Sequence, residues 1–282
     1  MPIDYPAVLD LKDETRRFVW TDRDSMLYAL AIGMGGDPVN GDELPFVYEK
    51  QLKAVPTLAT VIAWGAGVGP ERIGLDRSRT LHGEESTSWH APLPPAGEVI
   101  ADSRVVAVYD KGDKGAVVER ETVLRDAVTG EPLVTLRRTA FARADGGFGG
   151  PTDGPSPHEL PTRAPDAVRE FATRRDQALL YRLCGDRNPL HADPEMARAA
   201  GFGTPILHGL CTYGICCRAV LAAYCDFEPS RLQSLAVRFS APVVPGDTIT
   251  VRLWQDAETI SFDASVTARG VTVIKNGKAQ IH

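Results

Sequence analysis

The second half of the chain alternates long apolar runs with short polar turns. Residues 206–224 are apolar around nearly the whole helical circumference, and this pattern predicts a helix wrapped by other elements. We place the helix from Ile206 to about Tyr224, with Pro205 near its first turn, where a missing N–H costs little. Its apolar positions include Leu207, Leu210, Ile215, Val220 and Leu221.

Four near-alternating runs follow this helix. They are SLAVRFSAPV, DTITVRLWQD, TISFDASVTA and VTVIKNGKAQI, which are rich in Val, Ile, Thr and aromatic residues and are separated by turn residues. This pattern predicts antiparallel strands. A central helix followed by an antiparallel meander indicates an α+β layout in which the sheet buries the helix.

The first half repeats this plan. Three segments match in the same order: residues 24–33 with 176–185, 55–67 with 204–216, and 89–100 with 239–250. In the last match, WHAPLPPAGEVI and FSAPVVPGDTIT share Ala-Pro, a second Pro and a Gly ahead of a β-rich run. We interpret the chain as a diverged tandem duplication.

A Gly/Pro-rich run, ARADGGFGGPTDGPSPHELPTRAP, separates the two repeats. Turn formers with little apolar content are typical of a linker or a surface loop. We therefore predict an N-terminal repeat over 1–145, a linker over 146–165 and a C-terminal repeat over 166–282.

Composition narrows the class of protein. The 282 residues carry a net charge of −6 with acids and bases mixed along the chain, whereas a nucleic-acid binder normally has a concentrated basic face. No run of about 18 apolar residues predicts a membrane span, and the acidic N-terminus is unlike a signal peptide. We expect a cytoplasmic protein with no nucleic acid and no membrane among its partners.

All five cysteines fall within residues 184–225, two of them adjacent. An odd count in this arrangement does not predict a disulfide framework, and Cys211-x4-Cys216 inside an apolar helix is not a zinc-binding spacing. The six histidines are scattered. We therefore expect reduced, mostly buried thiols and no metal site.

The stretch CGDRNPLHAD, residues 184–193, holds an acid, an amide and a histidine around a proline. One interpretation is a polar turn, since Asp, Asn and Pro are common turn residues. The other is a proton-transfer pair, Asp186 and His191, held on a stiff turn by Asn188-Pro189. The following PILHGL segment supplies backbone N–H groups at a helix start, which suit an oxygen that gains negative charge.

Other polar features favour structural roles. His208 is more simply a core histidine satisfied by backbone groups than a proton-transfer residue. GMGGDP and GAGVGP do not continue in the order of a dinucleotide-binding motif and are interpreted as turns or helix ends. No G-x-S-x-G nucleophile elbow is present.

The segment YRLCGDRNPLHADPEMARAAGFGTPILHGLCTYG, residues 181–214, closely resembles the signature of the MaoC-like, or type 2, enoyl-CoA hydratases, which also form the hydratase part of peroxisomal multifunctional enzymes. ELPFVYEKQLKAVPTLATV and LHGEESTSWHAPLPPAGEV in the first half are similar to the family's N-terminal portion. The resemblance implies a double hot-dog fold, in which each of two tandem antiparallel sheets is wrapped around a long central helix.

The resemblance also implies roles for residues. It makes Asp186 and His191 catalytic with Asn188 assisting, and it makes the N–H of Gly209 the group that polarises the thioester carbonyl. The first-half loop GMGGDPVNGDELP lacks the acid and the histidine, and Thr60 stands opposite Gly209, so one active site per chain is expected. Candidate substrate-binding residues, including those for the CoA phosphates, are Arg187, His208, Lys275 and Lys278.

The implied reaction is the reversible hydration of a trans-2-enoyl-CoA to a (3R)-3-hydroxyacyl-CoA by a hydro-lyase. The only cofactor-like group is the CoA of the substrate, and two chains are expected to form a homodimer. Two alternatives remain open: a hot-dog acyl-CoA thioesterase, and a dehydratase specialised for branched, dicarboxylic or sterol-derived acyl-CoA. A non-catalytic acyl-binding protein would not need the D-x-N-x-x-H set.

Overall fold

The computed structural model describes residues 3–282, with the side chain of Ser78 excepted. The strands are β1 Arg16–Trp20, β2 Thr80–Trp89, β3 Gly97–Asp110, β4 Ala116–Asp126, β5 Pro132–Ala142, β6 Ala167–Ala172, β7 Leu232–Phe239, β8 Thr248–Asp256, β9 Thr259–Val266 and β10 Val271–Ile281. The α-helices are α1 Asp22–Ala31, α2 Leu44–Val47, α3 Ala59–Ile62, α4 Pro70–Ile73, α5 Gln177–Tyr181, α6 Pro194–Ala199 and α7 Gly209–Tyr224. The four strands predicted after the central helix are confirmed as β7 to β10.

All ten strands join one antiparallel sheet in the order β1-β3-β4-β5-β2-β7-β10-β9-β8-β6. Each half of the chain contributes five neighbouring strands. The halves meet where β2 pairs with β7, with Ser86 opposite Ala236 near the middle of the shared ladder. The two repeats are therefore joined edge to edge by backbone hydrogen bonds.

Helix α7 forms the centre of the second half. Eleven of its 16 residues are buried, as expected for a helix that is apolar nearly all round and enclosed by a sheet. It starts at Gly209, three residues later than the pattern predicted. Residues 205–208 stay extended because the N–H of Leu207 bonds to the carbonyl of Val243 at 2.8 Å and His208 has φ −60° and ψ 136°.

The corresponding helix of the first half is short. Helix α3 has four residues and follows a single 3₁₀ turn, Pro56–Leu58. The chain then turns at Gly65 and Gly67, whose φ values of 87° and 128° are incompatible with a continuing helix. The aligned position of Gly65 in the second half is Gly214, which remains helical inside α7.

A band of polar residues crosses the inner face of the first half. It separates the main apolar core, which includes Leu136, from a smaller one, which includes Val118. The segment between Thr57 and Val68 covers this band. Carbonyls of the segment accept hydrogen bonds from Arg120 and Arg138, the two arginines of the band. The band comprises Glu85, Ser103, Arg120, Thr122 and Arg138.

The connection between β5 and β6 has neither helix nor strand in the described chain. Its first part is fixed by Asp110, whose carboxylate accepts N–H bonds from Gly147 and Gly149 at 2.7 Å. Its second part is fixed to the far half of the sheet, where His158 Nε2 lies 2.8 Å from Ser261 Oγ. Across residues 3–282 no helix combines the length and apolarity that a membrane crossing needs.

Candidate active site

Asp186 lies on a loop whose shape is set by its own side chains. The carboxylate of Asp186 accepts the N–H of Asn188 at 3.0 Å, and the amide oxygen of Asn188 accepts the N–H of Leu190 at 3.0 Å. These are Asx turns, which Asp and Asn favour, and Pro189 then opens a single 3₁₀ turn that ends at His191. The predicted stiff turn is confirmed.

His191 is 8% exposed. Its Nδ1 lies 2.8 Å from the carbonyl oxygen of Ile206, and because a carbonyl only accepts, Nδ1 must carry the proton. Burial lowers the pKa of His191, against opposing effects of the Ile206 bond and the Asp186 charge. The ring is thus neutral near pH 7, with the lone pair on Nε2 available as a base.

His208, at the residue before α7, is 1% exposed. Its Nε2 lies 3.1 Å from the backbone carbonyl of Asp186 and therefore donates to it, whereas its Nδ1 is buried without a hydrogen-bond partner among the described residues. The prediction of a core histidine satisfied by backbone groups therefore holds for Nε2 but not for Nδ1. Burial, reinforced by neighbouring His191, lowers the pKa of His208 to about 3.

The two imidazole rings stack, with centroids 3.7 Å apart and planes inclined by 29°. One ligand-type atom from each of Asp186, His191 and His208 falls within 4.8 Å of the others. A metal bound by both rings would need their lone pairs to converge at about 2.0–2.1 Å, whereas lone pairs lie in the ring planes and these two planes are stacked, only 29° from parallel. The arrangement suits a water molecule between a carboxylate and an imidazole better than a metal ion.

Gly209 is the first residue of α7 and is exposed. Its N–H has no carbonyl one turn earlier within the helix, so it is one of the free donors of a helix start, where the dipole favours negative charge. A Cβ at this position would lie 3.3 Å from the ring of Phe239. The absence of a side chain at Gly209 therefore lets its N–H remain accessible although the Phe239 ring packs against this residue.

Two parts of the site escaped the sequence patterns. A cleft of about 440 Å³ adjoins His191 and is lined by Arg175, Thr204 and Gly246, among others. The aromatic side chains of Trp64 and Phe239 contact Gly185 and Gly209, where an added Cβ would lie 2.9 Å and 3.3 Å from the respective rings. The repeat alignment placed Phe239 at a motif position, but no pattern indicated which glycine it touches.

The predicted cation candidates lie apart from one another. Arg187 is exposed on the loop next to Asp186, and its carbonyl accepts a bond from Arg182 at 3.1 Å. Lys275 and Lys278 are exposed on β10. Burial, and after it the charge of Lys278, lowers the pKa of His158 in the connection. Their assignment to the CoA phosphates stays a prediction.

The equivalent region of the first half is closed by other contacts. Glu43 forms an ion pair with Arg218 of α7 and also accepts the N–H of Gly35 at 2.9 Å. Thr60, the counterpart of Gly209, is buried, and its hydroxyl bonds to the carbonyl of Thr57 at 2.8 Å. Thr60 is therefore closed off from solvent, whereas Gly209 is exposed.

Family comparisons agree with both halves of this layout. The family model described as the MFE-2 hydratase 2 N-terminal domain matches residues 18–144, and the one described as the MaoC-like domain matches residues 157–277. The enoyl-CoA hydratase ChsH3 of Mycobacterium tuberculosis is 40% identical over 98% of both chains.

Solved structures extend the likeness to the fold. A MaoC-like dehydratase from Phytophthora capsici superposes with a TM-score of 0.90 at 33% identity, over 99% of both chains. The Mycobacterium tuberculosis protein Rv0216, described as a double hot-dog fold, matches over 96% of each chain with a TM-score of 0.58 at 14% identity and is similar in fold alone. The predicted α+β double hot-dog class is confirmed. The chain belongs to the MaoC-like, type 2 enoyl-CoA hydratase family.

Proposed function

We propose that this protein is an (R)-specific enoyl-CoA hydratase, which adds water reversibly to trans-2-enoyl-CoA and yields (3R)-3-hydroxyacyl-CoA. The observation that carries the proposal is the pairing of a neutral, buried His191 with the Asp186 carboxylate, within 4.8 Å, next to a helix start that presents the Gly209 N–H. Membership of the hydratase family supports the same reaction.

In the hydration direction, Asp186 and Nε2 of His191 hold the water between them. Nε2 accepts one proton as the oxygen forms its bond to C3 of the substrate. The π electrons of the C2–C3 double bond move toward the thioester, whose oxygen gains charge and is stabilised by the Gly209 N–H. The proton then passes from His191 to C2, so that H and OH are added and both residues return to their starting states.

Each group has a definable contribution to this reaction. A positioned acid or base typically contributes 10²–10⁴-fold in rate, and one oxyanion donor about 3–4 kcal/mol of barrier. Asn188 acts through the loop, since its amide oxygen is occupied by the N–H of Leu190. His208 holds the backbone of Asp186 and does not need to titrate.

The test is hydration assayed with purified protein. Asp186→Asn and His191→Gln are expected to lower kcat by about 10²–10⁴-fold while circular dichroism and the melting temperature stay near those of the wild type. Asp193→Asn is the matched control, because Asp193 is an exposed carboxylate nearby that caps α6. Wild-type rates in both catalytic variants would refute the proposal.

The product distinguishes the competing reaction. Loss of the conjugated thioester absorbance with (3R) product on chiral analysis is expected. Release of free CoA from an acyl-CoA would instead identify a thioesterase. A panel of straight, branched, dicarboxylic and sterol-derived enoyl-CoA esters then assigns the substrate class.

Location and assembly belong to the proposal as well. We place the protein in the cytoplasm as a homodimer of double hot-dog chains. Light scattering during gel filtration measures the assembly, and a mass near 30.5 kDa, that of a single chain, would contradict the dimer.

A further inference from the structure

Glu85 is a carboxylate with no exposed surface, on the strand that joins the two halves. A buried charge persists only when it is paired and hydrogen-bonded. Arg138, directly opposite on β5, reaches both carboxylate oxygens from Nε at 3.3 and 3.1 Å. His82 reaches one of them from Nε2 at 3.0 Å. Glu85 therefore fixes the side chains of both Arg138 and His82, and each of these contacts a different part of the candidate site.

The contacts of Arg138 lead to the loop that carries Asp186. Arg138 also donates to the carbonyl of Thr60 at 2.6 Å and lies over the ring of Trp64 at 5.8 Å. Trp64 in turn packs on Gly185, so closely that a Cβ there would come within 2.9 Å of the indole. Because Gly185 directly precedes Asp186, a shift of the Trp64 indole would also move the Asp186 carboxylate.

The contacts of His82 lead to the start of α7. Nε2 of His82 lies 3.0 Å from the carbonyl of Glu84 as well as from the Glu85 carboxylate, so this nitrogen carries a proton. The His82 ring lies against Phe239 with centroids 4.9 Å apart. Phe239 packs on Gly209, whose N–H is the oxyanion donor.

We infer that Glu85 is a positioning residue for the hydration reaction, which holds the Asp186 loop through Arg138 and Trp64, and the Gly209 donor through His82 and Phe239. The inference rests on the proposed function. It makes the first half part of the catalytic apparatus, although the steps of the proposed reaction use groups of the second half.

The primary test is Glu85→Gln, which keeps the size of the side chain and removes its charge. Misplacement of reacting groups by about 1 Å can cost 10²-fold in rate, so we expect kcat to fall ten- to a hundredfold while KM changes less than threefold. A purely structural role would lower the melting temperature and leave kcat per folded molecule unchanged.

The matched control is Asp263→Asn. Asp263 is a carboxylate with 4% exposure that pairs with Arg252 across two neighbouring strands, in the same way as Glu85 with Arg138. Within residues 3–282 its hydrogen bonds go to Arg252 and not to a residue that packs on Gly185 or Gly209. It should lose stability and keep its kcat. Equal kcat values in the Glu85 and Asp263 variants, per folded molecule, would overturn the inference.

A spectroscopic readout separates the contacts of Arg138 from those of His82. An aryl-acryloyl-CoA bound at the site should absorb at longer wavelength when the Gly209 N–H polarises its carbonyl. Phe239→Leu is expected to diminish this red shift, whereas Trp64→Leu should lower kcat and leave the shift in place. These two variants also serve if Glu85→Gln fails to fold, and unchanged kcat and red shift in both would contradict the inference.

The failure of the inference differs from that of the proposed function. If wild-type protein hydrates enoyl-CoA and the Glu85 and Asp263 variants behave alike, only the positioning role is lost. If wild-type protein hydrates no enoyl-CoA, the function itself is wrong.

Discussion

The stacked rings of His191 and His208 differ in their ability to accept a proton. His191 keeps Nε2 free for a proton, while the remaining lone pair of His208 is on a buried nitrogen that has no hydrogen-bond partner within residues 3–282. Since burial and His191 lower the pKa of His208 to about 3, only His191 is suited to carry a proton during turnover. In the proposed reaction, therefore, His191 is the base and His208 is a neutral ring stacked on it.

This difference predicts a pH dependence of stability. His208 binds a proton in the unfolded chain below pH about 6.5 but in the folded chain only below about 3. The unfolded state thus binds more protons across that window, so the unfolding free energy falls as the pH falls, by up to about 1.4 kcal/mol per pH unit.

Denaturant titrations of His208→Gln between pH 6.5 and 5 should show this slope reduced. Gln cannot titrate but keeps an N–H for the Asp186 carbonyl. The control is the slope of the same variant between pH 8 and 9, where the His208 ring is neutral in both states, and it should equal that of the wild type. An unchanged slope of the His208 variant in the acidic range would contradict the prediction.

Gly185 gives a second prediction at the residue scale. Its φ is 143°, and an added Cβ would lie 2.9 Å from Trp64 Cγ. Gly185→Ala should cost about 1–3 kcal/mol from the backbone and lower kcat by moving the adjacent Asp186. Gly201→Ala isolates the backbone cost, because Gly201 has φ 87° with open space around it. Equal kcat values in both variants would argue against a role for the Trp64 contact.

The sequence predicted the local shape of the candidate site better than its long-range contacts. The spacing of Asp186, Asn188 and His191 indicated a stiff turn, because the hydrogen bonds that shape it are local. The stacking of His191 on His208 and the packing of Trp64 on Gly185 join residues far apart in sequence, and no periodicity records such pairs. The partner of the His191 Nδ1 proton was hidden for the same reason.

At the scale of elements, the sequence predicted the extent of α7 except for its first residue. The apolar pattern around the helix predicted residues 209–224 to be helical, and they are. Residues 206–208 continue the apolar pattern, but their backbone groups bond outside the helix, Ile206 to His191 and Leu207 to Val243. Tertiary partners therefore decide where the first turn begins, and with it which N–H is free.

The close approach of α7 to α1 predicts a cost for filling Gly214. A Cβ there would lie 2.6 Å from Cγ2 of Ile32 and 2.9 Å from the hydroxyl of Tyr28. Alanine gains up to about 1 kcal/mol of helix propensity over glycine, but overpacking costs about 1–3 kcal/mol. We expect Gly214→Ala to lower the unfolding free energy in chemical denaturation.

Shortening the facing side chain tests the cause. Adding Ile32→Ala to Gly214→Ala should cost less than the sum of the two single changes, because it removes the closest contact, that with Cγ2 of Ile32, and leaves only the contact with the Tyr28 hydroxyl. Additive costs would mean that the two residues do not meet as described.

At the scale of the whole molecule, the pairing of β2 with β7 links both halves into one sheet. An isolated half would expose that strand edge and lose the cross-contacts of Glu43 with Arg218. We therefore predict a single calorimetric transition, with equal calorimetric and van't Hoff enthalpies. Two resolved transitions would show that the predicted units 1–145 and 166–282 unfold independently.

Residues 143–166, which connect the halves, contribute no strand to this sheet. Asp110 holds the beginning of this connection and Ser261 its middle, while residues 151–157 between them are exposed. The strands themselves, together with the Glu43–Arg218 pair, keep the halves together. Once the sheet has formed, covalent continuity is therefore dispensable: a chain cut at residues 151–157 should stay assembled and active, and the two pieces made as separate polypeptides should recombine into one working enzyme.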